Sequence, residues 1–123
     1  MNSINKNLKK NAIIFGGSGD LGREILNDLY KKGFNVVFSH NKRKKNLNKN
    51  FNGEKNKVYY KKCNFLSEVS IQNFIRFSVK KIGTPNLVIN TVGIFNYENI
   101  ERVNYSNVIK VFKVNSLAIL TIN

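Results

Sequence analysis

A parallel, doubly wound α/β sheet is predicted for this chain by three features of its sequence: short unbroken apolar runs, amphipathic stretches of helical period between them, and a glycine turn joining the first run to the first such stretch. The 123 residues, 41% of them hydrophobic, suit one domain with an ordinary core. No internal repeat and no Pro/Gly/Ser-rich linker divides them.

Ala12-Ile13-Ile14-Phe15 is a short apolar run closed by Gly16-Gly17, the pattern of a buried strand meeting a turn. From Leu21 the period changes. Leu21, Ile25 and Leu29 recur every four residues beside Leu26 and Tyr30, with Glu24, Asp28 and Lys31 between them, so a helix runs to a stop at Gly33. Asn35 to Ser39 is a second strand. A helix crossing between two short buried strands favours a right-handed βαβ unit, hence a parallel sheet. Residues 40 to 57 lose periodicity and read as a solvated connection. Val58 to Cys63 fits a third strand, and Ser67 leads into a second helix with Ile71, Phe74, Ile75, Ser78 and Val79 on one stripe, ended by Gly83-Thr84-Pro85. Asn86 to Asn90 is a fourth strand and residues 91 to 104 a loop. A final helix from Tyr105 carries Val108, Val111, Phe112 and Leu117 on one side.

Lys and Arg number 21 against 7 Asp and Glu, a net charge of +14. Nucleic acid, an anionic membrane surface or a phosphorylated ligand would each suit such a charge. So would codon bias, since Lys, Asn, Ile, Phe and Tyr, all with A/T-rich codons, make up 66 of the 123 residues. Cys63 and His40 are the only residues of their kinds, which excludes an internal disulfide and a four-ligand Cys/His zinc site. No apolar stretch approaches the roughly 20 residues of a membrane span, and the run after the basic N-terminus is too short for a secretory signal. The expectation is a metal-free cytoplasmic protein without a membrane partner.

The segment Gly16-Gly17-Ser18-Gly19-Asp20-Leu21-Gly22 contains G-x-G-x-x-G at Gly17, Gly19 and Gly22, directly between a strand and a helix. Glycines there let the backbone turn and approach a pyrophosphate, and the helix start directs partial positive charge at the phosphates. This placement makes the whole segment a candidate dinucleotide site. An acid near the end of the second strand would hold the ribose hydroxyls of NAD. Instead, Ser39-His40-Asn41-Lys42-Arg43 follows, and cations there suit the 2′-phosphate of NADP, with NAD the less favoured cofactor.

With this loop, Asn90-Thr91-Val92-Gly93 after the fourth strand, and Val114-Asn115-Ser116 in the last helix, the chain resembles the short-chain dehydrogenase/reductase family over essentially its whole length. The resemblance covers the N-terminal, cofactor-binding part of a complete enzyme, so a single Rossmann-like domain, incomplete at about four strands, is implied for residues 1 to 123. The glycine loop departs from the family's T-G-x-x-x-G-x-G, with Phe15 at the Thr and Asp20 at the middle Gly. It keeps register with the T-G-x-x-G-x-x-G of the extended branch at Gly16, Gly19 and Gly22. The family's N-N-A-G is matched at Asn90 and Gly93 but not at Thr91 and Val92. Cys63-Asn64-Phe65 is similar to the family's x-D-[LV], whose Asp meets the adenine amino group; the amide oxygen of Asn64 can accept the same bond, or Asn64 can be a turn former. Asn115 matches the helix Asn whose local backbone distortion holds a water in the family's proton relay, and it is the one catalytic candidate.

The resemblance implies hydride transfer between a nicotinamide dinucleotide and a carbonyl or alcohol substrate, in an enzyme that forms a homo-oligomer when complete. The family's catalytic Ser and its Y-x-x-x-K pair fall farther along than Asn123. A truncated or split enzyme, and a non-catalytic dinucleotide-binding sensor, are therefore both open. Nucleic-acid binding through residues 40 to 62, where nine Lys and Arg face one Glu, is the least favoured reading because no known nucleic-acid motif accompanies the charge.

Overall fold

The computed structural model describes residues 9–42, 47, 50, 51, 53, 55–96 and 99–122. Its elements run β1 (Asn11–Phe15), α1 (Asp20–Lys31), β2 (Asn35–His40), β3 (Val58–Lys62), α2 (Glu68–Ile82) and β4 (Leu87–Asn90). A 3-10 turn over Ile100–Arg102 precedes α3 (Tyr105–Phe112), a π-helical turn over Lys113–Leu117, and α4 (Ala118–Ile122). All four strands are parallel, in the order β3-β2-β1-β4.

The apolar runs of β1 and β2 are continuous because both faces of the sheet are covered. Side chains alternate along a strand, so each run feeds two cores. Ala12, Ile14, Val36 and Phe38 pack with Leu26 and Leu29 of α1. Ile13, Phe15 and Val37 pack on the other face with Ile71 and Phe74 of α2 and with Val114 and Ala118 near the C-terminus. Phe74 meets Phe15 edge to face, with ring centroids 5.0 Å apart.

The helix ends follow the residues available. Gly33, at φ +85°, lets its own amide donate to Tyr30 O and that of Phe34 to Leu29 O, the paired bonds of a Schellman stop. Ser67 caps α2 by accepting from the amide of Ser70 at 3.2 Å. At the far end of the sheet, buried Asn11 donates to Ile82 O and accepts from Asn35 Nδ2, joining β1, β2 and the end of α2.

Two expectations are corrected. The connection after β2 is not wholly solvated: Leu47 and Phe51 are buried against α1. Arg23 fixes them there, donating to Leu47 O at 2.8 Å with its guanidinium 5.3 Å from the Phe51 ring. The large apolar residues of the last helix are not its buried stripe. Val114 and Ala118, with Ile122 beside them, face the core, while Val108, Phe112 and Leu117 are exposed. The π turn adds a residue to the helical repeat and rotates the face that follows it.

Candidate functional site

The C-terminal ends of the strands open onto a cleft of about 870 Å³. This is where an open parallel sheet places its ligands, at the point where strand order reverses between β1 and β4. The glycine loop forms one wall. Gly16 adopts φ +84°, a conformation open mainly to glycine, and its carbonyl accepts from the amide of Gly19 at 3.1 Å.

The other glycines divide by role. A Cβ on Gly22 would fall 2.1 Å from Gly16 O, so this residue lets α1 pack tightly against the loop. A Cβ on Gly17 would fall 2.4 Å from Phe38 Cβ, and Gly17 is buried against β2. Gly19 is different. A Cβ there meets nothing nearer than Gly16 O at 3.5 Å, and the residue faces the cleft. As the N-cap of α1 it supplies no side-chain cap, so the helix start presents amides that have no intrahelical acceptor.

Of the other residues expected at the site, Ser18, Asp20, His40, Asn41, Lys42, Asn64, Phe65, Thr91, Val92 and Gly93 line the cleft along with Gly16. Leu21 is turned to solvent, and Leu21, Asn90 and Asn115 do not line it. Arg43 lies outside the described residues. Asn64 Oδ1 accepts from the amide of Leu66 at 3.0 Å, which makes it a turn former; the oxygen retains a second lone pair. Phe65 is a core residue as well as a wall, edge-on to Phe15. Asn90 Oδ1 accepts from the amide of Val92 at 2.9 Å and so shapes the turn behind the cleft. Asn115 lies within the π turn and bonds both backbone groups of Ile94.

Several further residues at the site are not among the candidates read from the sequence. Buried Ser39, at the end of β2, accepts from the amide of Gly16 at 2.9 Å. Lys110 and Val111 of α3 line the cleft together with Ile94. Cys63 is buried at the base, where burial pushes its thiol pKa up to about 11 against a weaker lowering by a bond to Ser70. That thiol is not a nucleophile near neutral pH. Among the described residues no group of three or more His, Cys, Asp or Glu could hold a metal ion, and no helix is long and apolar enough to cross a membrane.

A parallel sheet with a glycine-lined helix start at its switch point is the architecture of the dinucleotide-binding folds. The model of the short chain dehydrogenase family matches residues 10–123, and the chain belongs to that family. Its Rossmann-like fold is shared with a short-chain dehydrogenase/reductase from Serratia marcescens, at TM-score 0.85 and 21% identity over 92% of this chain and 47% of that one. It is also shared with an alcohol dehydrogenase from the archaeon Thermococcus sibiricus, solved with 5-hydroxy-NADP (TM-score 0.83, 19% identity, 92% and 49% covered). A blue fluorescent protein from a metagenomic library, solved with NADPH, matches at TM-score 0.84 and 18% identity, with 92% and 48% covered. The chain thus spans about half the length of these structures. No curated protein sequence matches it at comparable significance.

Proposed function

We propose that this chain is the cofactor-binding part of an NADP(H)-dependent oxidoreductase of the short-chain dehydrogenase type. The observation that carries the reading is the open cradle at Gly19, where an uncapped helix start faces a cleft with room for a phosphate and nothing of the protein fills the space a Cβ would take. Ser18, Gly19 and the first turn of α1 would hold the pyrophosphate. The adenosine would lie between the Asn64-Phe65 turn and Val92-Gly93, and Lys42, with Arg43 after it, would meet a 2′-phosphate. The end of β2 bears no acid to favour NAD, and two of the structural neighbours were solved with NADPH or an NADP derivative.

When bound, the nicotinamide exchanges a hydride with a carbonyl or alcohol carbon. The residues of this chain bind and orient it; Asn115, in its π turn, is the candidate for holding a relay water. The proton donor is a separate requirement. None of the five tyrosines in these 123 residues has a lysine four residues later, so these residues supply binding and orientation and not that donor pair.

Titration calorimetry with NADPH and NADH tests the assignment. Binding of NADPH in preference to NADH is expected, while failure to bind either cofactor would remove the cofactor site altogether.

A further inference from the structure

We infer that Thr91, with Ser39 opposite it, is the positioning residue that sets the glycine loop for a phosphate, an inference that rests on the cofactor reading above. Three strand ends meet at Gly16. The backbone amide of Thr91 donates to Phe15 O at 2.9 Å, continuing the β1–β4 ladder. The Thr91 hydroxyl lies 2.9 Å from the same oxygen and 3.2 Å from Gly16 O, so its single proton is shared between the two carbonyls. On the other side of the glycine, its amide donates to Ser39 Oγ. Hydroxyls from β2 and from the turn after β4 therefore grip the two ends of one residue.

The grip matters because Gly16 holds a left-handed conformation and lines the cleft that the cofactor reading assigns to a phosphate. A carbonyl free to swing toward the cleft would set partial negative charge against a phosphate. Thr91 Oγ1 and the amide of Gly19 both engage that oxygen and fix its direction. A Cβ on Gly16 would lie only 2.6 Å from Thr91 Oγ1, so loop and hydroxyl are already nested as closely as glycine allows. Threonine suits the task because its β-branch restricts χ1 and presets the hydroxyl.

The experiment compares wild type, Thr91→Val and Thr91→Ser for binding of NADPH and of adenosine 2′-monophosphate, with thermal unfolding of each. The monophosphate lacks the pyrophosphate and reports on the adenosine side alone. Thr91→Val, which keeps shape and loses the donor, should weaken NADPH on the order of fivefold and leave the monophosphate unchanged. Thr91→Ser should bind NADPH like wild type. If Thr91→Val is too unstable to titrate, Ser39→Ala must give the same selective loss. Equal weakening of both ligands, no weakening of NADPH, or a Thr91→Ser variant as weak as Thr91→Val would each overturn the inference. A wild-type chain that binds no NADPH would instead refute the cofactor reading itself.

Discussion

Asn115 closes a ring on Ile94: its Oδ1 accepts from the Ile94 amide at 2.8 Å and its Nδ2 donates to the Ile94 carbonyl at 2.6 Å. One side chain from the π turn thus splints the segment after Gly93, whose Ile94 lines the cleft. Removing it in Asn115→Ala should cost about 1–2 kcal/mol, two neutral hydrogen bonds at a partly wet site. Asn115→Asp should cost more at pH 7, because a carboxylate oxygen then faces the Ile94 carbonyl with no proton between them. Urea unfolding of the three proteins checks the order, and an Asp variant as stable as wild type would show that the ring carries no energy.

The glycines of the loop predict separable phenotypes. Gly22→Ala forces a methyl group onto Gly16 O and should destabilise the fold by about 1–3 kcal/mol, as overpacking does. The Cβ of Gly19→Val would lie no nearer than 3.5 Å to a protein atom, so the variant should fold and yet fail to bind NADPH. Asp20→Asn, removing a carboxylate from the cleft wall, should tighten NADPH binding. Calorimetry and thermal melts on the same samples separate the effects. Normal NADPH affinity in Gly19→Val would place the phosphates elsewhere.

Much of this was legible in the sequence, for reasons visible in particular residues. Ala12 to Phe15 reads as a strand because both of its faces are buried, and Gly33 reads as a stop because only glycine easily takes its positive φ. Leu47 and Phe51 were hidden by context: two apolar residues among Asn and Lys show no period, and what buries them is α1, far away in sequence. The last helix misled because size outweighed position. Small Ala118 faces the core and large Phe112 does not, a choice fixed by the π turn and by packing on α2. Thr91 and Ser39 were invisible as a pair, since a hydroxyl's partner 23 or 75 residues away leaves no local trace.

Cofactor choice should depend on the cations after β2. Lys42 lines the cleft wall and Arg43 follows it in sequence. Replacing both with Ala should cost about 1–3 kcal/mol for NADPH, the range for bonds to charged groups, and little for NADH. Direct titration of the double variant with each cofactor reads the difference. Parallel losses for the two cofactors would mean that these cations act only through the general field.

Cys63 predicts a pH dependence of defined sign. Its thiol pKa is raised by burial from 9.0 to about 11, so between these values the folded chain holds a proton that the unfolded chain releases. The stabilisation is fully present below pH 9 and is lost as pH rises toward 11. Cys63→Ala should flatten that part of the stability curve relative to wild type. The same burial should leave the native thiol slow toward iodoacetamide at pH 8. Rapid alkylation of the folded protein, or superimposable pH curves for the two proteins, would contradict the assignment.

The last prediction concerns the 123-residue chain acting by itself. Among the described strands β4 pairs only with β1, and Val88 on it is 46% exposed. Near the C-terminus, Val108, Phe112, Ile119 and Leu120 are also exposed, Leu120 at 69%. An open strand edge and exposed apolar side chains each favour association in water. Sedimentation velocity should show self-association, and the double variant Val88→Lys, Leu120→Lys should shift the population toward monomer. The same chain should reduce no carbonyl compound even when saturated with NADPH. Hydride addition leaves an alkoxide whose protonation by a placed acid is worth on the order of 10² to 10⁴ in rate, and no tyrosine here is followed by a lysine at the required spacing. A monodisperse monomer with measurable reductase turnover would defeat both halves of the argument, because it would require a covered edge and a proton donor other than the tyrosine–lysine pair.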